Sequence, residues 1–140
     1  MKNIEELKER LIEEESLELK PYKCSAGKLT IGVGRNLEDR GISKGEAMFM
    51  LRNDIIAVAS ELAEKSNIFR TAPIEVRMIL IDMGFNMGVP RLLQFKKTFQ
   101  YIKEGDFKSA SVEMLDSQWA GQVPARANGL SELMAEVQNV

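Results

Sequence analysis

Three side chains near the start of the chain have the types and spacing for acid/base chemistry. Glu15, Cys24 and Thr30 stand in the order E-x8-C-x5-T, and Ile31-Gly32-Val33-Gly34 follows at once. A carboxylate can deliver a proton to a leaving oxygen, while a thiol and a hydroxyl can orient water or steady a developing charge. Composition narrows the choice further, because the chain has no histidine and Cys24 is its 1 cysteine. Ser-His-Asp and Cys-His mechanisms and histidine-ligated metals are therefore excluded. So are a disulfide framework, a multi-cysteine zinc site and a cysteine-bound iron–sulfur cluster. What remains is catalysis by carboxylates, hydroxyls, amines, amides and one thiol, a list that favours acid/base chemistry without a cofactor.

The elements that must position these groups can be read in turn. Asn3 caps a first helix, with Glu6 three residues later completing a capping-box-like pair. At about 100° per residue, Ile4, Leu7 and Leu11 cluster on one face, and Glu15 falls about 20° from Ile4, inside that stripe. Glu13 points to the solvent side and Glu14 to the stripe's edge. A carboxylate on an apolar face needs a reason. From Leu19 to Asn36 the chain reads as strands: Pro21 bars a helix, and Ser25-Ala26-Gly27-Lys28 is a turn. Leu29, Ile31 and Val33 then alternate with Thr30, Gly32 and Gly34, so one face is expected to enter a core and the other to stay open.

The remainder is helical. Ser43 and Glu46 form a capping box that starts a long helix to about Ser66. Pro73 opens a helix over Ile74–Met87, closed by Gly88; others fit Leu92–Glu104, Asp106–Leu115 and Pro124–Val137. The fold class is α+β, mostly helical: one two-lobed domain over 1–140. Its small N-terminal β-hairpin lobe spans about 13–42, the connecting helix about 43–66 and the helical C-terminal lobe about 67–140, with the N-terminal helix expected to pack on that C-terminal lobe. A site between the lobes, opened by a hinge, is the expected arrangement.

Charge and hydropathy bound the partners. Apolar residues at 44% and charged ones at 29% argue against disorder. Nineteen basic against twenty-one acidic residues give a net charge of −2, and only Lys96-Lys97 are adjacent, so nucleic acid is not expected as a partner. The longest apolar runs, such as Ile55-Ile56-Ala57-Val58-Ala59, are too short to span a membrane. The acidic start has no apolar signal region, so synthesis in a cytoplasm without a signal peptide is expected. A monomer is expected.

With these elements in place, the chain resembles the phage-type lysozymes, the endolysin family of peptidoglycan muramidases. Most members read E-x8-D-x5-T, and a subset carries cysteine in the middle, as here. The stretch Glu15 to Lys23 looks like the family's opening helix-to-strand segment, Gly84-Phe85-Asn86-Met87-Gly88 its central helix, and Ser117-Gln118-Trp119 through Ala127 its C-terminal signature. The resemblance implies a lysozyme fold and hydrolysis of the β-1,4 bond between N-acetylmuramic acid and N-acetylglucosamine, with Glu15 as general acid and Cys24 and Thr30 on the water or the cationic transition state. It implies Arg35, Asn36, Phe85, Asn86 and Thr98 as substrate contacts, Arg126 as a charge partner of Glu15, and Trp119 as packing beneath the site. The implied setting is host lysis at the end of a phage cycle, acting on wall peptidoglycan, with a holin giving access. Arg35 is a departure, since the best-known relatives have histidine there. A lytic transglycosylase or a peptidoglycan-binding module remain the alternatives. Taken singly, Glu15 reads equally well as a helix-end ion pair and Cys24 as a small hydrophobe; the combination carries the functional reading.

Overall fold

The computed structural model describes residues 1–139. The chain forms two compact units, Met1–Phe49 and Met50–Val140.

In the first unit, the Asn3 side chain accepts the Glu6 N–H at 2.9 Å and starts α1 (Ile4–Glu15). The reciprocal half of the expected box is absent: Glu6 Oε2 instead accepts the Lys2 N–H at 2.8 Å. No residue of α1 is buried, and Leu7 and Leu11 are 40% and 39% exposed. Glu15 is exposed as well, which corrects the expectation of a carboxylate set into a buried stripe. The helical period fixes the side on which a residue stands, not whether that side is covered. The helix stops at Ser16, whose N–H still donates to Ile12 O at 2.9 Å while its φ turns to 68°.

Three strands follow, β1 (Glu18–Lys23), β2 (Leu29–Gly32) and β3 (Arg35–Asn36), antiparallel and in that order. Tyr22 stands opposite Thr30, and Thr30 opposite Asn36. Register slips between Glu18 and Tyr22, around Pro21, which has no N–H for the ladder. The expected turn closes β1 on β2: Cys24 N–H donates to Lys28 O at 2.9 Å and Gly27 N–H to Cys24 O at 2.8 Å. The expected division into a covered apolar face and an open one is not found: Ile31 and Gly32 are both half-buried and Gly34 is exposed. Thr30 is buried at 3% exposure, whereas Leu29 and Val33 are each 37% exposed. Alternation marks two faces but does not say which one the small unit covers.

The Ser43–Glu46 box forms in both directions, Glu46 N–H to Ser43 Oγ at 3.1 Å and Ser43 N–H to Glu46 Oε1 at 2.8 Å. It starts α2 (Lys44–Lys65). Ser66, read as the end of that helix, caps the next, α3 (Asn67–Thr71).

The second unit is helical throughout. Its centre is α4 (Ile74–Met87), which buries Val76, Ile79, Leu80, Ile81, Met83 and Gly84. A Cβ at Gly84 would lie 3.0 Å from Val58 Cγ1, so glycine lets α2 and α4 close on one another. The helix expected over Leu92–Glu104 starts later, as α6 (Lys96–Lys103), and Leu92 instead ends a short helix, α5 (Val89–Leu92). Tight bonds, Gln94 N–H to Arg91 O and Phe95 N–H to Leu92 O, end α5. Between the two helices the Phe95 ring meets Trp119 edge-on at 6.2 Å. Then come α7 (Phe107–Leu115), capped by Asp106 as expected, α8 (Gln118–Gln122) and α9 (Pro124–Glu136). Among the described residues every buried apolar side chain lies in this unit, with Leu62, Leu80, Leu92, Met83, Met114 and Met134 at 0% exposure. Each contributes about 1.5–3 kcal/mol.

Candidate active site

Glu15 is the last residue of α1, and its carboxylate rests on the turn between β2 and β3. A Cβ at Gly34 would lie 2.9 Å from Glu15 Oε2 and 3.2 Å from its Cδ. Gly34 also has φ 67°, in the region that favours glycine. Glycine at this position therefore satisfies the backbone and leaves room for the acid.

Cys24 and Thr30 meet at the other end of β2. The thiol is partly exposed and is held below its ordinary range, first by the Lys28 backbone N–H, then by that of Ala26, then by the Thr30 hydroxyl. The turn thus offers the sulfur a small nest of donors that favours thiolate. The Thr30 hydroxyl has one proton, donated to Lys28 O at 2.9 Å; a thiolate competes for it.

Arg35 is firmly engaged. Its Nη1 and Nη2 donate to Glu46 Oε1 and Oε2 at 2.9 and 2.8 Å, and Nη1 also donates to Gly41 O at 3.2 Å. This two-point bond pulls the Glu46 carboxyl down to about 2, with help from the Ser43 N–H and hydroxyl. A direct sugar contact for Arg35 has to be made by a guanidinium already occupied at both ends. Asn36 is likewise tied up locally, donating to Asp39 Oδ2 and accepting the Asp39 N–H, both at 3.0 Å.

In the second unit, Phe85 is 43% exposed and lines a cavity of about 300 Å³ with Ile55, Met78, Ile81, Asp82 and Arg126. Asn86 Oδ1 accepts the Trp119 indole N–H at 2.8 Å, and Trp119 itself is buried. Thr98 is wholly buried and its hydroxyl has no partner. It borders a pocket of about 510 Å³ lined also by Arg91, Lys97, Glu113, Ser117 and Trp119. Arg126, expected beside Glu15, donates from Nε to Asp82 Oδ1 at 2.8 Å. Both partners are about two-fifths exposed, so the pair contributes roughly 0–1 kcal/mol.

Sequence reasoning missed the roles of Glu46 and Asp82. Glu46 was legible as a helix cap but not as the partner of Arg35, because a cap already explained it. Asp82 carried no signal, since its partner lies on another helix.

Comparison with known proteins gives the family. The pattern of the phage lysozyme family matches residues 12–133. Probable T4-type lysozyme 2 of Dictyostelium discoideum is 27% identical over 155 aligned positions, covering 89% of this chain and 91% of the relative. Probable T4-type lysozyme 1 of the same organism is 30% identical over the same span and coverage. With most of its length matched, and with that likeness extending over nine-tenths of each relative, the chain belongs to the phage lysozyme family.

Proposed function

We propose that the protein is a muramidase that hydrolyses the β-1,4 bond between N-acetylmuramic acid and N-acetylglucosamine in bacterial peptidoglycan. The observation that carries this reading is the seat of Glu15 on the Gly34 turn, in the same unit as the Cys24 thiol and the Thr30 hydroxyl. Glycoside hydrolysis needs a proton for the leaving oxygen and negative charge or a held water near the oxocarbenium-like centre. Glu15 supplies the proton. Cys24, its thiolate favoured by the turn, supplies the negative charge or holds the water with Thr30. Phe85 and Asn86 in the second unit and Asn36 in the first contribute glycan contacts, each from its own unit. Thr98, wholly buried, backs the pocket it borders, and Trp119 supports Asn86 by the bond to its Oδ1. Arg126 contributes a positive charge beside Phe85, oriented by its bond to Asp82.

The biological setting that fits is phage endolysin action on the wall at host lysis, with a holin giving access. Among the described residues no helix is long and apolar enough to cross a membrane. The family assignment supports the general activity; the roles of single residues are this reading.

The deciding experiment digests purified murein in oxygen-18 water and weighs the products. Labelled reducing ends are expected, whereas 1,6-anhydro ends would replace hydrolysis by transglycosylation. Binding without any product would reduce the protein to a peptidoglycan-binding module. Glu15→Gln should lower turnover by at least ~3 kcal/mol in transition-state terms while the fold survives. Wild-type clearance by that folded variant would remove Glu15 from the chemistry.

A further inference from the structure

We infer that Glu46 is a positioning residue for Glu15, acting through Arg35 and the turn on which the acid rests. This inference depends on the reading of Glu15 as general acid, and adds to it a residue that the E-x8-C-x5-T pattern does not contain.

The chain of contacts lies wholly in the first unit. Glu15 leans on Gly34 with no side chain between them. Arg35 follows Gly34 directly and is the residue at which the hairpin resumes pairing, opposite Ile31. The other end of this hairpin is tied by several bonds: Leu37 N–H to Leu29 O at 2.7 Å, Leu29 N–H to Glu38 Oε1 at 2.9 Å, and the Lys28–Asp39 pair at 3.4 Å. The turn end has much less. A Cβ at Gly32 would meet nothing within 4 Å. Beyond the strand pairing, what anchors the turn is the Arg35 side chain, held at two points by Glu46 and by Gly41 O.

Glu46 is in turn fixed by its own helix. Its Oε1 accepts the Ser43 N–H at 2.8 Å and its backbone N–H donates to Ser43 Oγ at 3.1 Å. One carboxylate therefore caps α2 and grips the strand that carries the acid's seat. A forked guanidinium–carboxylate bond restrains rotation as well as distance, which one hydrogen bond does not. Misplacing a catalytic group by about 1 Å costs about 100-fold in rate, so slack of a fraction of that in the turn is sufficient to matter.

The test measures kcat and KM on soluble peptidoglycan fragments for Glu46→Gln, Gly34→Ala and the double variant, at a temperature where circular dichroism shows each folded. Glu46→Gln keeps the helix cap but loses the charge and one arm of the fork. The expected result is a fall in kcat of about 10-fold, with KM within about 2-fold, from slack of this size. In the double variant the loss should be no greater than that of Gly34→Ala alone, because both act on the same support. Glu61→Gln, which breaks a separate surface pair with Lys65, should leave kcat unchanged and add nothing to Gly34→Ala. If Glu46→Gln does not fold, Arg35→Lys keeps the charge with a single arm and must show the same split and the same non-additivity. A Glu46→Gln or Arg35→Lys enzyme with wild-type kcat, or one whose loss multiplies with that of Gly34→Ala, overturns the inference. An active Glu15→Gln enzyme would overturn the proposed acid instead, so the two failures are told apart.

Discussion

Gly34→Ala separates what the backbone needs from what the acid needs. A side chain at φ 67° costs about 1–2 kcal/mol of stability in the left-handed region. Gly32, two residues earlier, has φ 71° and open space around it, so Gly32→Ala should carry the same backbone cost. The two positions differ in one respect. At Gly34 the new methyl would stand 3.2 Å from Glu15 Cδ and 2.9 Å from its Oε2, inside the ~3.5–4.0 Å at which carbon atoms attract. The carboxyl must retreat by a few tenths of an ångström or swing away. Scaled from about 100-fold per ångström, a shift of that size lowers kcat about 5- to 10-fold, and a full swing lowers it about 100-fold. Urea unfolding followed by circular dichroism gives the stability cost of each variant, and initial rates on purified peptidoglycan give kcat. The expected outcome is two equally destabilised proteins, of which only Gly34→Ala is slow. Equal rates for the two alanine variants would refute the seating of Glu15 on this turn.

Three further outcomes follow from the same geometry. The Cys24 thiol, favoured as thiolate by the Lys28 and Ala26 N–H groups, should alkylate with iodoacetamide along a pH profile whose midpoint lies below that of an unstructured cysteine peptide; a midpoint at or above the peptide's would contradict the donor nest. Thr98→Val removes a buried hydroxyl that has no partner and should raise stability by about 1–2 kcal/mol, read as an increased urea midpoint; a loss would mean the hydroxyl is satisfied. The Glu46 carboxyl is charged in the fold down to about 2, from an ordinary 4.5, so folding favours its ionised form. Its contribution is complete above pH 4.5 and fades as pH falls towards 2, and Glu46→Gln should flatten that part of the stability–pH curve.

Local rules carried the helices well. Pro73 and Gly88 bracket α4 at the residues expected, and Asp106 caps α7 by accepting the Ser109 N–H. Capping and turn chemistry act within four residues, so the sequence displays them. What it concealed depends on partners far along the chain. The break at Phe95 follows from a ring packed on Trp119, 24 residues away by number, and no periodicity contains that contact. The burial of Thr30 rather than of Leu29 has the same origin, since alternation is symmetric until something covers one side. In the candidate site, the spacing of Glu15, Cys24 and Thr30 was legible, while the support beneath them was not. Gly34 read as an open surface and proved to be the backing of a carboxylate. Arg35 read as a ligand contact and is bonded to a helix cap. Both supports depend on side chains whose direction the local pattern does not set.

Ser16 bears on how this neighbourhood tolerates change. It follows Glu15 directly, with φ 68° and ψ 160°, in a region of backbone space that is essentially reserved for glycine and costs other residues about 1–3 kcal/mol. Against a net stability of about 5–15 kcal/mol for a domain of ordinary kind, that is a standing debt at the very joint that aims the acid. Substitutions nearby begin from a reduced margin, so mutations that a relaxed joint would absorb silently should surface here as lost protein. A glycine at position 16 would widen that margin and, with it, the range of sequence the joint can explore. The same glycine would also free the rotation that the strained serine denies. Robustness and aim are thus set against one another at a single peptide unit, and serine at this position settles the contest on the side of aim.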